Sequence, residues 1–389
     1  MKKIAIDARF LLRVQRGMPL YVTTLCKLMP RKMENVHFYI LINTAFEHNE
    51  NKNEYQARLE AIKKASNVTI VDIQTDDELS WELKKLPAWL KINQPNLLHM
   101  PTNRVCLLTK IKQIATFHDC MEWTFLNKIH AIPERAGLKL KLYFYKKRFY
   151  VWLIYQLGLR KLDSVLTISN YAQKSLTQHF SFIKNKISYV YHGIPMGFSS
   201  SNTPLPFEER EGVLMLGGDS YQKNPENAIK AWNALPEELK IKHPLTIAGF
   251  TGNEDSPVMT TIIALGIENQ VVIKKWVSDQ ELISLFSTSA VLLFASREEG
   301  FGFPLVQAMA CGTPIVTSEA EVLREIGGEA VLTAPAENPE LLSDQVESLL
   351  TDQERWILYQ NLGLTRAEIF TWESACNAIS TKYSELINE

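Results

Sequence analysis

The chain has 389 residues, with 42 lysines and arginines against 43 aspartates and glutamates, so its formal net charge is −1. Apolar residues make up 46% and charged residues 22%, as in soluble globular proteins, and this length predicts two or three domains. The composition excludes a disordered chain and a coiled coil, and the charge balance excludes a global basic field for nucleic acid.

Cysteines, histidines and the first residues indicate the compartment. The five cysteines lie far apart without a C-x-x-C pair, and no H-x-x-x-H spacing occurs, so neither a disulfide framework nor a zinc site is predicted. Asp7 and Arg9 interrupt the first apolar stretch too early for a signal peptide. No apolar run reaches the roughly 18 residues of a spanning helix. We therefore expect a cytoplasmic protein without a metal.

Short apolar runs alternate with helical patterns along the whole chain, which is typical of α/β architecture with parallel sheets. In the first half, strands are predicted at Lys3–Asp7, Val36–Ile42, Val68–Ile73, Leu97–Met100, Ile114–Phe117, Ser164–Ile168 and Ile187–Tyr191. Helices fill the gaps, for example Leu20–Leu28, Asp77–Leu86 and Ala172–Phe180. Such strands are almost continuously apolar because helices cover both faces of the sheet.

The pattern stops between Phe198 and Phe207, where serines and prolines without periodicity predict a linker. It then restarts with strands at Val213–Leu216, Leu245–Ala248, Val271–Ile273, Ala290–Phe294, Pro314–Thr317 and Ala330–Leu332. The helices predicted here are Pro225–Ala234, Asp279–Phe286, Pro304–Cys311, Pro339–Leu350, Gln353–Ile369 and a final one from Trp372 to Leu386. We predict two α/β domains, residues 1–200 and 201–370, that bind ligands in the cleft between them.

Residues 295–314, ASREEGFGFPLVQAMACGTP, carry the strongest chemical signal. The segment follows an apolar strand, turns through Gly300 and Gly302, and begins a helix at Pro304. Backbone N–H groups at a helix start lack partners within the helix, so they suit an anion. Glu299 adds a carboxylate that accepts hydrogen bonds from hydroxyl groups. A turn whose glycines serve only packing is the alternative.

Together with other segments, this one resembles the glycosyltransferases of family 4. The similar segments are IDAR at Ile6–Arg9 with Gly17 and Tyr21, ATFHD at Ala115–Asp119, LTIS at Leu166–Ser169, Gly217–Gly218 with Lys223–Asn224, WVSDQEL at Trp276–Leu282, EEGFGFPLVQAMACGTPIV from Glu298, and FTWE at Phe370–Glu373. The resemblance implies a GT-B fold, in which two Rossmann-like, doubly wound domains face a cleft. It also implies an acceptor-binding first domain, a nucleotide-sugar-binding second domain, and a helix at 371–389 that crosses back to the first.

The resemblance also implies roles in the second domain. Glu299 would contact hydroxyls of the donor sugar, and Lys223 would neutralise the departing diphosphate. The remaining donor-binding positions are Gly218, Gly300, Phe301, Gly302 and Gln307. Gln307 stands where the family has a glutamate that holds the ribose, and Gln222 stands where it often has a second cation. Arg297 and Arg9 are candidates to replace that cation.

In the first domain, the resemblance places His118 against the donor sugar, and a core histidine is the alternative. Asp119 would orient the imidazole or receive the acceptor. Gly17 would let backbone N–H groups approach the diphosphate, unless it is a plain turn glycine. No resident cofactor or metal is implied, because Lys223 and the helix start would stabilise the leaving group and no D-x-D sequence occurs.

Residues 135–162 hold eight lysines and arginines, seven aromatic residues and no acidic residue. Helical spacing of three or four predicts a buried side formed by Leu138, Leu142, Tyr145, Phe149, Trp152 and Gln156. The remaining cations and aromatics suit the interface of an anionic membrane, and a solvated basic face is the alternative. No nucleic-acid motif is present.

Three functions remain open. The first is a retaining glycosyltransferase that transfers a hexose-type sugar to a glycan or lipid-linked acceptor in surface polysaccharide or glycoconjugate biosynthesis. The second is a catalytically silent GT-B subunit that binds a glycan or a partner transferase, which Gln307 and Gln222 favour. The third is an epimerase or another non-transferase, for which the sequence lacks further acid and base residues.

Overall fold

The computed structural model describes residues 1–46, 48–124, 138–198, 204–250, 255–275 and 277–388. The chain divides into two compact units, the first formed by Met1–His192 with Glu373–Glu389 and the second by Gly193–Trp372. Residues 199–203 of the predicted linker, Trp276 of the similar segment and Arg135 of the basic stretch lie outside the described residues.

The first unit contains a parallel sheet of seven described strands. They are β1 (Lys2–Asp7), β2 (Val36–Ile42), β3 (Val68–Asp72), β4 (Leu97–Met100), β5 (Lys112–Phe117), β6 (Ser164–Thr167) and β7 (Ile187–Tyr189). Their spatial order is β3-β2-β1-β4-β5-β6-β7, so the order reverses between β1 and β4. In a doubly wound sheet, the crevice at that reversal is where ligands bind.

Helices connect these strands. They are α1 (Met18–Lys32), α2 (Lys52–Lys63), α3 (Glu78–Ser80), α4 (Leu86–Asn93), α5 (Met121–Thr124), α6 (Leu138–Leu153), α7 (Leu159–Lys161) and α8 (Asn170–His179). Single π-helical turns at Trp81–Lys85 and Ile154–Gly158 continue α3 into α4 and α6 into α7. Each π turn ends one residue before the next helix begins, so both segments run without a break.

The second unit repeats the plan with six described strands. They are β8 (Val213–Leu216), β9 (Leu245–Ala248), β10 (Val271–Lys274), β11 (Val291–Phe294), β12 (Ile315–Ser318) and β13 (Leu332–Ala334), in the order β10-β9-β8-β11-β12-β13. Its helices are α9 (Pro225–Asn233), α10 (Glu237–Lys242), α11 (Pro257–Leu265), α12 (Asp279–Thr288), α13 (Phe303–Ala310), α14 (Glu321–Gly327), α15 (Pro339–Thr351) and α16 (Gln353–Ala367). The predicted α/β class with doubly wound parallel sheets is confirmed.

The last helix, α17 (Trp372–Asn388), packs on the first unit. The buried Tyr383 hydroxyl lies 2.5 Å from His99 Nδ1 on β4, and Lys2 Nζ donates to the Ile387 carbonyl at 2.6 Å. The division at 192/193 lies eight residues before the predicted boundary at 200/201, and the division at 372/373 lies two residues after the predicted boundary at 370/371.

The prediction of which side of α6 is buried is wrong. Leu138, Leu142, Tyr145, Phe149 and Trp152 are 43–84% exposed, whereas Val151, Ile154 and Tyr155 are buried in the first unit's core. The helix carries apolar residues on every side, so three-four spacing finds an apolar stripe without identifying which stripe meets the core.

Candidate active site

In the second unit, the predicted donor residues follow two neighbouring strands, β8 and β11. These strands pair in parallel, and the strand order reverses between them. Gly217, Gly218 and Lys223 lie on the connection after β8, and Glu299 lies on the connection after β11. Because carboxyl ends of parallel strands meet at one edge of the sheet, distant parts of the sequence converge there.

Lys223 and Glu299 form an ion pair at this edge. Lys223 Nζ donates to Glu299 Oε1 at 2.6 Å, and the two side chains are 30% and 14% exposed. The Lys223 ammonium also lies 5.1 Å from the centre of the Phe294 ring. The aliphatic part of Lys223 packs against Gly217, where an added Cβ would come within 3.3 Å of it. The ammonium is therefore held in place beside a carboxylate.

The glycine-containing loop leads directly into helix α13. Gly302 precedes the helix with φ of +97°, in a conformation that favours glycine, and an added Cβ there would lie 3.0 Å from Leu323 Cδ2. Phe301 is buried and packs edge-on against Phe303 and Phe370. This packing fixes the loop, so that the first N–H groups of the helix keep one direction. The glycine turn leads into a helix as predicted, and anion binding at the helix start remains a prediction.

The two glutamines and the two arginines have separate surroundings. Gln307 is half-buried on α13, and the Gln222 carbonyl accepts a hydrogen bond from the Arg297 amide at 2.7 Å. The Arg297 guanidinium binds Glu337 at 2.5 Å and the Tyr221 carbonyl at 2.6 Å. Arg9 lies in the first unit, buried between Asp7 and Glu82. Carboxylates thus balance both arginines predicted to replace the missing cation.

Two residues that the sequence reasoning did not assign to the site organise it. Ser296 Oγ donates to Glu299 Oε1 at 2.8 Å. Asn224 is fully buried in the left-handed conformation (φ +53°), and its Nδ2 donates to the carbonyls of Ala295 and Ala336 at 3.0 and 2.7 Å. Asn224 therefore ties the lysine loop to the glutamate loop. A short polar residue directly after an apolar strand was the available signal for Ser296.

In the first unit, His118 directly follows β5 and is buried. Its backbone N–H donates to Asn103 Oδ1 at 2.8 Å, and its Nε2 lies 3.0 Å from the Pro101 carbonyl. A carbonyl only accepts, so Nε2 carries the proton and Nδ1 carries the lone pair. Burial lowers the pKa of His118 to about 4. With this pKa the imidazole is neutral at pH 7, so its Nδ1 is able to accept a hydrogen bond and the ring supplies no positive charge.

The other predicted residues of the first unit lie on nearby loops. Gly17 precedes α1 with φ of +56° and has open space where a Cβ would be. Tyr21, one turn into α1, packs edge-on against the His118 ring with centres 5.2 Å apart, so the start of α1 lies beside the imidazole. Asp119 Oδ1 accepts a hydrogen bond from the Met121 amide at 2.9 Å, at the start of α5. The first unit therefore brings Gly17, His118 and Asp119 to the carboxyl edge of its own sheet.

The five cysteines are free and buried. Within the described ranges, no three or more His, Cys, Asp or Glu side chains are grouped to hold a metal ion. None of the helices described here combines the length and apolar character needed to cross a bilayer.

Relatives of known activity match part of the chain. Over 241 residues it is 27% identical to O-antigen chain mannosyltransferase B of Escherichia coli, covering 58% of this chain and 62% of that protein. Over 239 residues it is 28% identical to the MMP alpha-(1->4)-mannosyltransferase of Mycolicibacterium hassiacum, covering 59% and 55%. The chain thus spans little more than half the length of these relatives.

Solved structures and family profiles extend the comparison to the whole chain. Anabaena HepE in complex with UDP and glucose superposes with a TM-score of 0.71 at 15% identity, covering 99% of this chain and 100% of that one. Residues 16–197 match the profile described as Glycosyltransferase Family 4, and residues 200–363 match Glycosyl transferases group 1. The two profiles cover most of both units. The chain belongs to the glycosyltransferases of family 4 and has their GT-B fold.

Proposed function

We propose that this protein is a retaining glycosyltransferase that moves a hexose-type sugar from a nucleotide diphosphate to a hydroxyl of a glycan or lipid-linked acceptor. The observation that carries the proposal is the contact between Lys223 Nζ and Glu299 Oε1 at the carboxyl edge of β8 and β11. The second unit binds the donor and the first unit binds the acceptor. The pathway is the assembly of a surface polysaccharide or glycoconjugate, for which the O-antigen mannosyltransferase relative gives support.

In this proposal, the diphosphate is bound by charged and dipolar groups that the fold already holds in position. Lys223 supplies the cation, and the N–H groups at the start of α13 supply aligned dipoles. Charge that develops on the leaving diphosphate is stabilised without reorganisation of the protein, which is the most effective form of electrostatic catalysis. Glu299 accepts hydrogen bonds from hydroxyls of the donor sugar. HepE, whose structure holds UDP and glucose, is a structural relative in keeping with this donor class.

Retention follows from same-face attack. The bond between the anomeric carbon and the diphosphate oxygen breaks, the acceptor oxygen bonds to that carbon on the same face, and the departing phosphate oxygen takes the acceptor's proton. Glu299 is assigned to hydroxyl binding, because a carboxylate that accepts hydrogen bonds from Lys223 and Ser296 at Oε1 keeps acceptor capacity for hydroxyls of the donor sugar. We assign His118 to a sugar hydroxyl that donates to its unprotonated Nδ1. No resident cofactor takes part in this scheme.

The experiment offers the purified protein a panel of nucleotide diphosphate sugars and follows nucleotide release. We expect slow hydrolysis of one donor, reduced at least tenfold by Glu299→Ala and by Lys223→Ala. Lys274→Ala is the matched control, because Lys274 forms a 2.8 Å ion pair with Glu281 in the same unit outside the proposed site. If no donor is hydrolysed and none raises the melting temperature, the chain is a silent GT-B subunit.

We also propose that α6 touches the surface of an anionic membrane, which would hold a cytoplasmic enzyme beside a lipid-linked acceptor. Leu142, Tyr145, Phe149 and Trp152 form an exposed apolar stripe along this helix, and lysines flank it. Aromatic and aliphatic side chains partition into the interface, while nearby cations attract anionic headgroups. The charge and the exposed stripe together favour a membrane over a protein partner.

A further inference from the structure

Arg297 lies two residues before Glu299 on the connection after β11, and its side chain joins this connection to two others in the second unit. Its Nε and Nη2 donate to the Glu337 carboxylate at 2.5 and 3.1 Å, on the connection after β13. Its Nη1 donates to the Tyr221 carbonyl at 2.6 Å, on the connection after β8. One guanidinium therefore holds together three loops that are far apart in the sequence.

Arg297 also fixes the short turn that carries Lys223. This 3₁₀ turn spans Tyr221–Lys223 and leads into α9. The Tyr221 carbonyl accepts from the guanidinium, and the Gln222 carbonyl accepts from the Arg297 backbone N–H at 2.7 Å. The guanidinium lies 4.2 Å from the centre of the Tyr221 ring as well. Arg297 thus binds both of the residues directly before Lys223.

The position of this turn determines where the Lys223 ammonium lies. A lysine side chain is flexible when it is free in water, but here its Cβ, Cγ and Cδ pack beside Gly217. The ammonium lies 5.1 Å from the centre of the Phe294 ring and 2.6 Å from Glu299 Oε1. Because the side chain is packed along its length, a displaced turn carries the ammonium away from Glu299.

The charge of Arg297 is balanced within the protein. Glu337 meets the guanidinium through both carboxylate oxygens, which is the strongest arrangement of this pair. Glu337 Oε2 also accepts from Asn227 Nδ2 at 3.0 Å, so helix α9 holds the carboxylate as well. The pair carries no net charge and adds little to the field around a diphosphate, whereas Lys223 points its ammonium into the site.

The exposure of the pair favours positioning over stabilisation of the fold. The Glu337 side chain is 64% exposed and the Arg297 side chain is 19% exposed. Ion pairs open to water contribute roughly 0–1 kcal/mol to folding. The contacts of Arg297 instead converge on the residues beside Lys223, where a small displacement changes the geometry of the site.

We propose that Arg297 is a positioning residue, which holds the Tyr221–Lys223 turn so that the Lys223 ammonium lies beside Glu299 and meets the donor diphosphate. Arg297 acts through Lys223, and its guanidinium stays on Tyr221 and Glu337 when the donor binds. The contact with a diphosphate rests on the proposed function, whereas the hold on the turn does not.

The first test follows hydrogen–deuterium exchange of the full chain without ligand. Arg297→Ala is expected to speed exchange in the peptide that carries residues 221–224 about fivefold, and to leave the peptide of β9 unchanged. Arg355→Ala is the matched control, because the Arg355 guanidinium also lies near a tyrosine ring, 5.9 Å from the centre of Tyr359 on α16. This control is expected to exchange like the wild type at residues 221–224. Wild-type exchange there in Arg297→Ala would overturn the proposal.

The second test measures calorimetric binding of inorganic pyrophosphate and of UDP, the nucleotide in the HepE structure, to Arg297→Ala, Lys223→Ala and the double variant. We expect Arg297→Ala alone to weaken binding about fivefold, because the ammonium is displaced. With Lys223→Ala already present, the same change is expected to alter binding by less than about twofold, since Arg297 then has no ammonium to position. Losses that multiply would mean that Arg297 contacts the diphosphate itself, which overturns the proposal.

The two tests separate this proposal from the proposed function. If neither pyrophosphate nor UDP binds the wild type while Arg297→Ala still speeds exchange at residues 221–224, the diphosphate site is rejected and the hold on the turn is supported. If Arg297→Ala binds UDP and exchanges like the wild type, the positioning role is rejected and the donor site is retained.

Discussion

Gln307 occupies the position at which the family's signature has a carboxylate, and it lies half-buried on the helix that begins at the glycine loop. An amide accepts a hydrogen bond from a ribose hydroxyl, but a charged acceptor makes that bond roughly twice as strong. We therefore expect Gln307→Glu to tighten nucleotide binding about five- to tenfold, which corresponds to roughly 1–1.4 kcal/mol. Isothermal titration calorimetry with the nucleotide diphosphate of the accepted donor measures the change.

Gln270→Glu is the matched control for this charge. Gln270 is exposed in the second unit and precedes β10, and the change adds the same negative charge to the same unit. We expect no change in affinity. If Gln307→Glu and Gln270→Glu bind nucleotide equally well, the amide of Gln307 does not contact the ribose.

His118 makes the stability of the first unit depend on pH. Its pKa is about 4 in the folded chain against an ordinary value of 6.5, because burial disfavours the charged ring. As the pH falls, the unfolded chain therefore binds this proton at a higher pH than the folded chain does. The stability that neutral His118 contributes is complete above pH 6.5 and is lost as the pH falls towards 4. Between pH 6.5 and 5, this single group lowers the free energy of unfolding by about 2 kcal/mol.

The variant His118→Gln isolates this contribution, since its amide donates to the Pro101 carbonyl but does not titrate. Urea unfolding of both proteins from pH 7 to pH 5 is expected to give a shallower decline for the variant. Parallel curves would mean that His118 is already protonated in the fold, or that it is exposed to water.

Helix α13 depends on the backbone conformation of Gly302 for the direction of its first N–H groups. An alanine there adopts a positive φ at a cost and places its Cβ 3.0 Å from Leu323. We expect Gly302→Ala to lower the free energy of unfolding of the second unit by about 1–3 kcal/mol and to weaken donor binding at least tenfold. Chemical denaturation and calorimetric titration give the two numbers.

Gly266 is a suitable control because, like Gly302, it has a positive φ. It ends α11 with φ of +67°, and no atom lies within 4 Å of the Cβ position. Gly266→Ala is expected to cost about 1 kcal/mol of stability and to leave donor affinity unchanged. Equal losses of donor affinity in both variants would show that the loop direction at Gly302 is not specific to the site.

The exposed stripe of α6 predicts a membrane interaction with two components. We expect Phe149→Ala with Trp152→Ala to weaken binding to vesicles rich in anionic lipid at least tenfold, because both side chains are exposed and available to the interface. Raising the salt concentration from 0.1 to 1 M is expected to weaken binding of the wild type as well, since counterions screen the lysines. Co-sedimentation with vesicles measures both effects.

The control replaces Leu341 and Ile357, exposed apolar residues of the second unit, with alanine. These changes remove apolar surface of comparable kind outside the α6 stripe and are expected to leave vesicle binding intact. Unchanged binding of the Phe149 and Trp152 variant would mean that the stripe is not the membrane contact.

The strands were predictable because each buried parallel strand is a short, nearly continuous apolar run in the sequence. Each apolar run, such as Leu97–Met100, lies between polar connections, and all thirteen predicted runs overlap described strands. Helix α2 (Lys52–Lys63) was not singled out, since it has few apolar positions and only Tyr55, Leu59 and Ile62 are buried. The local sequence pattern therefore predicts a strand well when both faces of its sheet are covered. It predicts a helix poorly when only one narrow stripe of that helix is buried.

The sequence was sufficient to propose individual candidate residues, but it did not predict their contacts. The loop sequence pointed to Glu299, and similarity to a family pointed to Lys223. Their ion pair depends on β8 lying next to β11, and this neighbour relationship spans 76 positions of the chain. Such arrangements follow from the complete fold and leave no local pattern in the sequence.

The chain crosses between its two units twice, and the second crossing brings α17 to the first unit's core. Tyr383 begins a buried series of hydrogen bonds there: its hydroxyl lies 2.5 Å from His99 Nδ1, His99 Nε2 lies 2.9 Å from Thr116 Oγ1, and this oxygen lies 3.0 Å from the Tyr21 hydroxyl. Tyr383→Phe leaves the His99 nitrogen without a partner. The expected cost is roughly 1–3 kcal/mol.

Each unit has its own sheet and core, so calorimetry is expected to resolve two unfolding transitions, one for each unit. Tyr383→Phe should lower the melting temperature of the first unit alone, by a few degrees, although the residue lies at the far end of the sequence from that unit's strands. Tyr359→Phe, on a half-buried tyrosine of the second unit, is the control and should leave the first unit's transition in place. A nucleotide diphosphate should raise only the second unit's transition. A single transition that Tyr383→Phe shifts as a whole would mean that the units unfold as one, and that the last helix stabilises the whole molecule.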